Sequence, residues 1–331
     1  MKMSTFRPLA FALLFALGAV TVGTPVHADQ IVLKLGHTLP DNHAVGLGAI
    51  RFKQLVEQRT NGAIVVQIFP NNILGGEPEM FQQEKQGSIQ AVISGAGTLG
   101  NLEPDVAVLE APYLWKDFEA EKKVLNGPMF AHFQREFTDH QGMRILSMSW
   151  YYGRREFNPT KAVKTPQEAA GMKIRTPPSP VNLLAGRALG GNPVPMNFPQ
   201  VYLAIKTGTI DAEENPLATI VTSKMYEVAK YVVLTHHIQQ SQVFTINQRF
   251  WANLTREQQN AVQSAVNDAG EYEASLALKA ESEQLERLRS MPGVTIISDP
   301  DINAFRTRAR QLISQEKPVW EGLYNRFAAA Q

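Results

Sequence analysis

Short β-branched runs alternate with longer amphipathic ones along most of the chain. Residues 31–36 read as a strand. Residues 44–59 carry Val45, Ile50, Phe52, Leu55 and Val56 at roughly helical spacing, and Asn61-Gly62 ends the run. Strands are expected at 64–69 and 89–94, with a helix at 79–86 between them. Two helices, 118–126 and 128–138, lead to a strand at 144–150.

A second series then begins. Thr165-Pro166-Gln167-Glu168 has the form of a capped helix start, with proline at the first position. Strands at 173–175, 192–194, 209–213 and 231–235 alternate with helices at 181–189, 199–207 and 216–230. Repeated βα units imply parallel sheets covered by helices, and two series imply two α/β lobes. A second capping box, Thr255 to Gln258, opens a helical stretch that continues to Ser290 and stops at Pro292-Gly293. Roughly 35 residues at 1.5 Å each span about 50 Å, enough to bridge both lobes.

The first residues are set apart. Lys2 and Arg7 precede an uncharged apolar run at 11–22, and Val26-His27-Ala28 reads as a cleavage site. This is the pattern of a secretory signal peptide over residues 1–28, and the run is short for a membrane span. Without Lys2 and Arg7, 30 basic residues of the chain's 32 face 31 acidic ones over 303 residues. That balance leaves no electrostatic footprint for nucleic acid. The chain has no cysteine, so an exported protein of this size must rely on core burial. This favours a bacterial periplasmic protein over a disulfide-stapled one, with no stable membrane insertion of the mature chain.

The motifs exclude more than they assign. Gly95-Ala96-Gly97-Thr98-Leu99-Gly100 follows a strand but meets Pro104 too soon for a dinucleotide fingerprint, so a tight turn with close backbone approach is expected and no cofactor is implied. His236 and His237 point to opposite faces of a strand, while His37 and His43 flank Pro40-Asp41-Asn42, so the histidines form no metal set. Neither H-E-x-x-H nor G-x-S-x-G occurs. What remains suits a carboxylate: Arg155, past Gly153; Arg175, at a strand end stopped by Pro177-Pro178; and Asn215, before Pro216. A planar guanidinium matches a carboxylate in a bidentate way. Trp150, Tyr151, Tyr152 and Phe198 can supply an apolar lid. On position alone, a solvated surface arginine is the better account of Arg175.

The ordered fragments change that balance. Gly153-Arg154-Arg155, Gly171-Met172-Lys173-Ile174-Arg175, Val201-Tyr202-Leu203-Ala204-Ile205 and Asp211-Ala212-Glu213-Glu214-Asn215-Pro216 stand in sequence, with LKLGHTLPDNH, FPNNILGGE and EAPYLW before them. Together they resemble the DctP-type solute-binding proteins of tripartite ATP-independent periplasmic (TRAP) transporters; Ala212 stands where that family usually has glycine. The resemblance implies a Venus-flytrap periplasmic binding protein of two α/β lobes, 29–152 plus 241–280 and 153–240 plus 281–331, with a long helix spanning both. It implies Arg175 as carboxylate clamp, Arg155 as second basic contact, Asn215 as polar contact and Phe198 packed on the ligand, with His237 and Thr38 near the pocket. The implied partners are a small organic acid and the small and large membrane subunits of a TRAP permease, in a Gram-negative periplasm.

The sialic-acid branch of that family carries polar side chains where this chain has Gly95 and Pro178, and Trp150 can take up pocket volume. A ligand smaller than sialic acid is therefore expected. Two arginines favour a C4-dicarboxylate; His37, Asn72, Glu77 and Gln240, if they face the cleft, suit a hydroxylated sugar acid. The rival readings are an exported α/β enzyme acting on a carboxylate and a ligand sensor on the same fold.

Overall fold

The computed structural model describes residues 1, 3 and 30–331. Apart from Met1 and Met3, the expected leader lies outside the described residues. Nine strands form one continuous hydrogen-bonded sheet: β1 (Ile31–His37), β2 (Ile64–Phe69), β3 (Ala91–Gly95), β4 (Met143–Pro159), β5 (Lys173–Thr176), β6 (Asn192–Pro195), β7 (Ala212–Pro216), β8 (Tyr231–Asn247) and β9 (Thr295–Ile297). The order is β2-β1-β3-β8-β4-β7-β5-β6, with β9 beside β8. β1, β2 and β3 run parallel, as do β7, β5 and β6. These are the sheets of two α/β lobes.

β4 and β8 join the lobes. The pattern predicts strands of seven and five residues there, yet each is 17 residues long. Ala91–Gly95 pairs with the far end of β8, while β9 pairs with its beginning. The middle of both strands crosses between lobes and is buried on both faces, so the usual apolar–polar alternation disappears there. Register shifts between β4 and β8 at Tyr151/Gly153 and Arg155/Phe157 re-aim the side chains in that crossing.

The helix Arg256–Ser290 is continuous over 35 residues, and the Thr255–Gln258 capping box is formed reciprocally. Its first half buries Val262, Ala265, Val266 and Ala269 against the core of the first lobe, with Phe52 and Phe244. Its last turns place Leu285 and Leu288 against Val201, Ile220 and Val232 of the second. Among the described residues no helix is long and apolar enough to cross a membrane.

Two expected helices come out differently. Thr165 to Gly171 is only a turn: Thr165 accepts from Glu168 N–H, but the Glu168 carboxylate takes Lys164 N–H and does not close the box on Thr165; Gly171 at φ +81° ends it before a second turn forms. Residues 216–230 split into Leu217–Thr222 and a single tight turn at Met225–Glu227, because Lys224 is left-handed.

The lobe boundaries are a proposal about which parts move together. Ile302–Glu316 packs on the second lobe through Phe305, beside Phe157, Ile174 and Val233. The last helix, Glu321–Ala329, instead packs on the first: Phe327 stacks on Trp115 at 5.5 Å.

Trp150 shows how tightly the long helix is seated. It is fully buried between two helices, and its Nε1 donates to the Val266 carbonyl at 3.2 Å. Gly48 on one helix and Gly270 on the other make room: a Cβ on Gly270 would lie 2.6 Å from the indole nitrogen. Gly270→Ala gains helix propensity worth about 1 kcal/mol but overpacks a rigid site at about 1–3 kcal/mol. Calorimetry should show Tm lower by a few degrees, with partial recovery in Gly270→Ala/Trp150→Phe. A Tm at or above wild type would show that the indole yields.

Candidate functional site

Between the lobes lies a cavity of about 50 Å³, room for roughly three to five waters. Of the residues expected from the sequence, Arg175, Arg155, Asn215, Phe198, Thr38 and Glu77 line it. Trp150 and His237 do not. Trp150 belongs to the sheet–helix core described above, because its face of β4 looks toward the helices. His237 lies behind the wall.

Arg175 stands at the end of β5, where Pro177 and Pro178 stop the ladder. It is 3% exposed. Its Nε donates to the Met196 carbonyl at 2.9 Å, and its guanidinium lies 5.5 Å from the centre of the Phe198 ring. Neither Nη makes a hydrogen bond to protein among the described residues. Burial pushes its pKa below the ordinary arginine value, with Glu214 and Glu213 opposing. This is a desolvated cation with half its fork free and aimed into the cavity.

Arg155 is different. Its Nε and Nη2 are bound to the Glu214 carboxylate, Nη2 also reaches the Glu214 carbonyl at 2.6 Å, and Nη1 donates to Gln240 Oε1 at 2.7 Å. Burial works against the Arg155 charge, but Glu214 outweighs it and the pKa rises. Burial likewise opposes the Glu214 charge, and Arg155 with His237 holds its pKa at about 2. His237 donates from Nε2 to Glu214 at 3.1 Å, while Nδ1 meets Thr235 Oγ1 at 2.8 Å. His237 therefore positions Glu214 and does not touch the cavity.

Asn215 donates to Glu213 and accepts from the Tyr152 hydroxyl at 3.2 Å. Thr219 donates to that hydroxyl at 2.8 Å and meets His43 Nε2 at 3.3 Å. His43 caps the helix Ala44–Arg59 by accepting from Val45 N–H, and burial lowers its pKa to about 3. This buried chain from helix cap to cavity wall is not legible in sequence, since its members lie up to 176 residues apart. His37 does not line the cavity. It is fully buried with both ring nitrogens unpartnered, and its pKa is lowered to about 4 by burial.

Two carboxylates face the cavity. Glu77 accepts from Gly95 N–H at 3.1 Å and Thr98 Oγ1 at 2.6 Å. Glu110 accepts from Gln240 Nε2 at 2.7 Å and Asn182 Nδ2 at 3.1 Å, and burial raises its pKa. The glycine-rich stretch forms one helical turn, Ala96–Leu99. Its close approach is to Glu110: a Cβ on Gly95 would sit 2.5 Å from Glu110 Oε1. Asn182–Glu110 and Asn101–Pro178, the latter at 2.8 Å, tie the two sides of the cleft together.

Larger concavities exist, including one of about 970 Å³ on the outer face. None but the cleft holds a buried arginine with a free fork, and that chemistry marks the site.

Comparison with known proteins agrees with this geometry. Residues 35–317 match the DctP family, described as bacterial extracellular solute-binding protein family 7. The 2,3-diketo-L-gulonate-binding periplasmic protein YiaO of Escherichia coli K12 is 31% identical over 300 residues, 90% of each chain. The C4-dicarboxylate-binding periplasmic protein DctP of Rhodobacter capsulatus is 27% identical over 92% of this chain and 87% of its own. The crystal structure of a TRAP periplasmic solute-binding protein from Actinobacillus succinogenes 130z with bound L-galactonate superposes with a TM-score of 0.86. It is 32% identical and covers 90% of this chain and 98% of that one. The chain thus belongs to the DctP family of non-catalytic, exported periplasmic proteins and serves a TRAP transport system as a solute-binding protein for a small organic acid.

Proposed function

We propose that the ligand is a monocarboxylic, polyhydroxylated acid of sugar-acid type, clamped through its carboxylate by Arg175 and handed to the small and large membrane subunits of a TRAP permease. One observation carries this reading: Arg175 has a free fork and Arg155 does not. The sequence-level lean toward a dicarboxylate rested on two available arginines. With Arg155 consumed by Glu214, a second anionic end would instead meet Glu77 and Glu110. Those carboxylates, with Asn72, Tyr152, Asn215, Gln240 and Gln242, suit hydroxyl groups. The sugar-acid ligands named for two of the similar proteins support the same class; the dicarboxylate-binding relative supports the runner-up. Asn215 and Tyr152 orient the hydroxylated end, Phe198 packs on it, and Thr38 and Glu77 approach from the first lobe. Closure is a hinge about the crossing strands, and ligand favours the closed form by binding it better.

Calorimetric titration with L-galactonate, L-gulonate, D-glucuronate, succinate, malate and N-acetylneuraminate tests the class. One of the first three should bind at least 100-fold tighter than succinate or malate. Tighter binding of a dicarboxylate, or of N-acetylneuraminate alone, overturns the proposal.

Removing Arg175 strands a buried carboxylate. Arg175→Ala should cost about 3–5 kcal/mol of binding, or roughly two to four decades in Kd. Arg175→Lys should recover little, because ammonium lacks the planar fork. A folded Ala variant binding within threefold of wild type removes the clamp.

Glu213 adds a pH dependence. It is fully buried with Oε1 unpartnered, and its pKa is raised to about 7 by burial and by Glu214, with Asn215, Arg175 and Arg155 opposing. A bound carboxylate offsets the Arg175 charge, so the Glu213 pKa rises further in the complex. The bound state then holds more protons, and affinity falls as pH rises above about 7. Titrations at pH 7–8 in buffers of different ionisation enthalpy should show proton uptake on binding. Glu213→Gln should abolish that uptake while still binding; unchanged uptake assigns it elsewhere.

A further inference from the structure

The crossing strands have two faces, and the second also carries organised chemistry. Arg155 faces the cleft, while its neighbour Arg154 is exposed on the other side. His237 points inward to Glu214, and His236 outward. Gln240 lines the cleft, and Gln239 lines the opposite side. Arg154 stands opposite Gln239 in the β4–β8 ladder, and the left-handed His236 (φ +46°) breaks the alternation of β8, so that all three form the floor of a separate groove of about 970 Å³, behind the hinge.

The walls of this groove come from different lobes. Helix Ile302–Glu316 contributes Arg306 and Arg310; its first turn is anchored on the second lobe through Phe305, while Leu312 and Ile313 near its end share a core with Trp320, Leu323 and Phe327. The last helix, Glu321–Ala329, forms the other wall with Lys116 nearby, and it is anchored on Trp115 of the first. Arg154, Arg306, Arg310 and Lys116 make no ion pair among the described residues. Arg306 lies 5.5 Å over the Tyr113 ring. The nearby acids are few or already used. Glu156 binds both the backbone N–H and Nδ1 of His236, Glu281 accepts from Arg154 N–H and the Tyr151 hydroxyl, and Glu321 stands at the wall. At the floor, Gln239 is 6% exposed; its Nε2 donates to the buried Glu121 carboxylate at 3.4 Å, and its Oε1 has no partner.

We propose that this groove is a second ligand site, for a small hydroxylated polycarboxylate, and that its occupancy favours the closed cleft. The unpaired arginines and Lys116 meet the carboxylates, and a hydroxyl donates to Gln239 Oε1. Because Arg306 follows Phe305 in the second-lobe core, Lys116 follows Trp115 in the first, and the floor is the hinge, opening the cleft in front narrows the groove between them. An anion that fits the groove as it stands in the closed form binds that form better and so shifts the hinge toward it.

Citrate is the probe, at low ionic strength, with calorimetry and small-angle scattering as readouts. In Arg175→Ala, whose cleft clamp is gone, citrate should still bind once per chain, and scattering should show a more compact molecule. Arg306→Ser/Arg310→Ser should weaken citrate at least tenfold with unchanged circular dichroism. Tricarballylate, which lacks the hydroxyl, should bind several-fold more weakly than citrate. Citrate binding that is lost in Arg175→Ala, or unaltered in the double variant, overturns the site. Binding of an acidic polyglutamate peptide without citrate overturns the small-ligand reading, and citrate binding with unchanged scattering overturns the coupling. The citrate outcomes in Arg175→Ala do not depend on which acid fills the cleft.

Discussion

The buried Arg155–Glu214 pair is the constraint on which the site depends. Both residues are almost wholly excluded from solvent where β4, β7 and β8 meet. Removing one member of such a pair strands the other and costs about 3–5 kcal/mol. Here the pair is completed by Gln240 on Arg155 and His237 on Glu214, both from β8. Three strands are thereby fixed to one another through side chains as well as through their ladders. The functional consequence is an asymmetry between two arginines 20 residues apart. One is neutralised and structural, and the other keeps its charge and two Nη groups free of protein partners.

Around this pair, the fold divides rigid from movable parts by packing. The indole of Trp150 sits between two helices that carry glycine at the contact, so the long helix is seated closely on the first lobe. Its distal turns enter the core of the second lobe through Leu285 and Leu288. β4, β8, this helix and the short segment 317–320 before the last helix are thus the continuous links between lobes. The contacts across the cleft include single side-chain hydrogen bonds, such as Asn101 to the Pro178 carbonyl, and an apolar contact of Val181 and Leu184 with the first-lobe core. The hydrogen bonds among them break at low cost compared with a packed core.

The cavity wall is polar and largely satisfied from within. Glu77 and Glu110 each have partners on neighbouring segments, and the glycines at 95 and 97 let the Glu110 carboxylate lie against backbone. A satisfied wall is pre-organised, with its acceptors already fixed in place. Arg175, Asn72 Oδ1 and Gln242 Oε1 are exceptions on the wall, and Glu213 Oε1 is another just behind it.

The sequence by itself determined the regular parts. Helical spacing at 44–59, the capping box at Thr255 and the proline stop after Arg175 are local signals, and the structure keeps all three. Ordered motifs carried Arg155, Arg175, Phe198 and Asn215 to one place, and the cavity gathers them. The full length of β4 and β8 was not legible, because strands buried on both faces lose their alternation and their polar centres resemble loops. The pattern analysis also does not anticipate the helices Ile302–Glu316 and Glu321–Ala329, which build the rear groove. Trp150 and His237 stand near the site in sequence, yet side-chain direction sends one into the helix contact and the other behind Glu214. Above all, no local signal distinguishes a free arginine from a paired one. That difference between Arg175 and Arg155 was decided only by tertiary structure, because the partner Glu214 lies 59 residues along the chain and reaches Arg155 only when β7 pairs with β4.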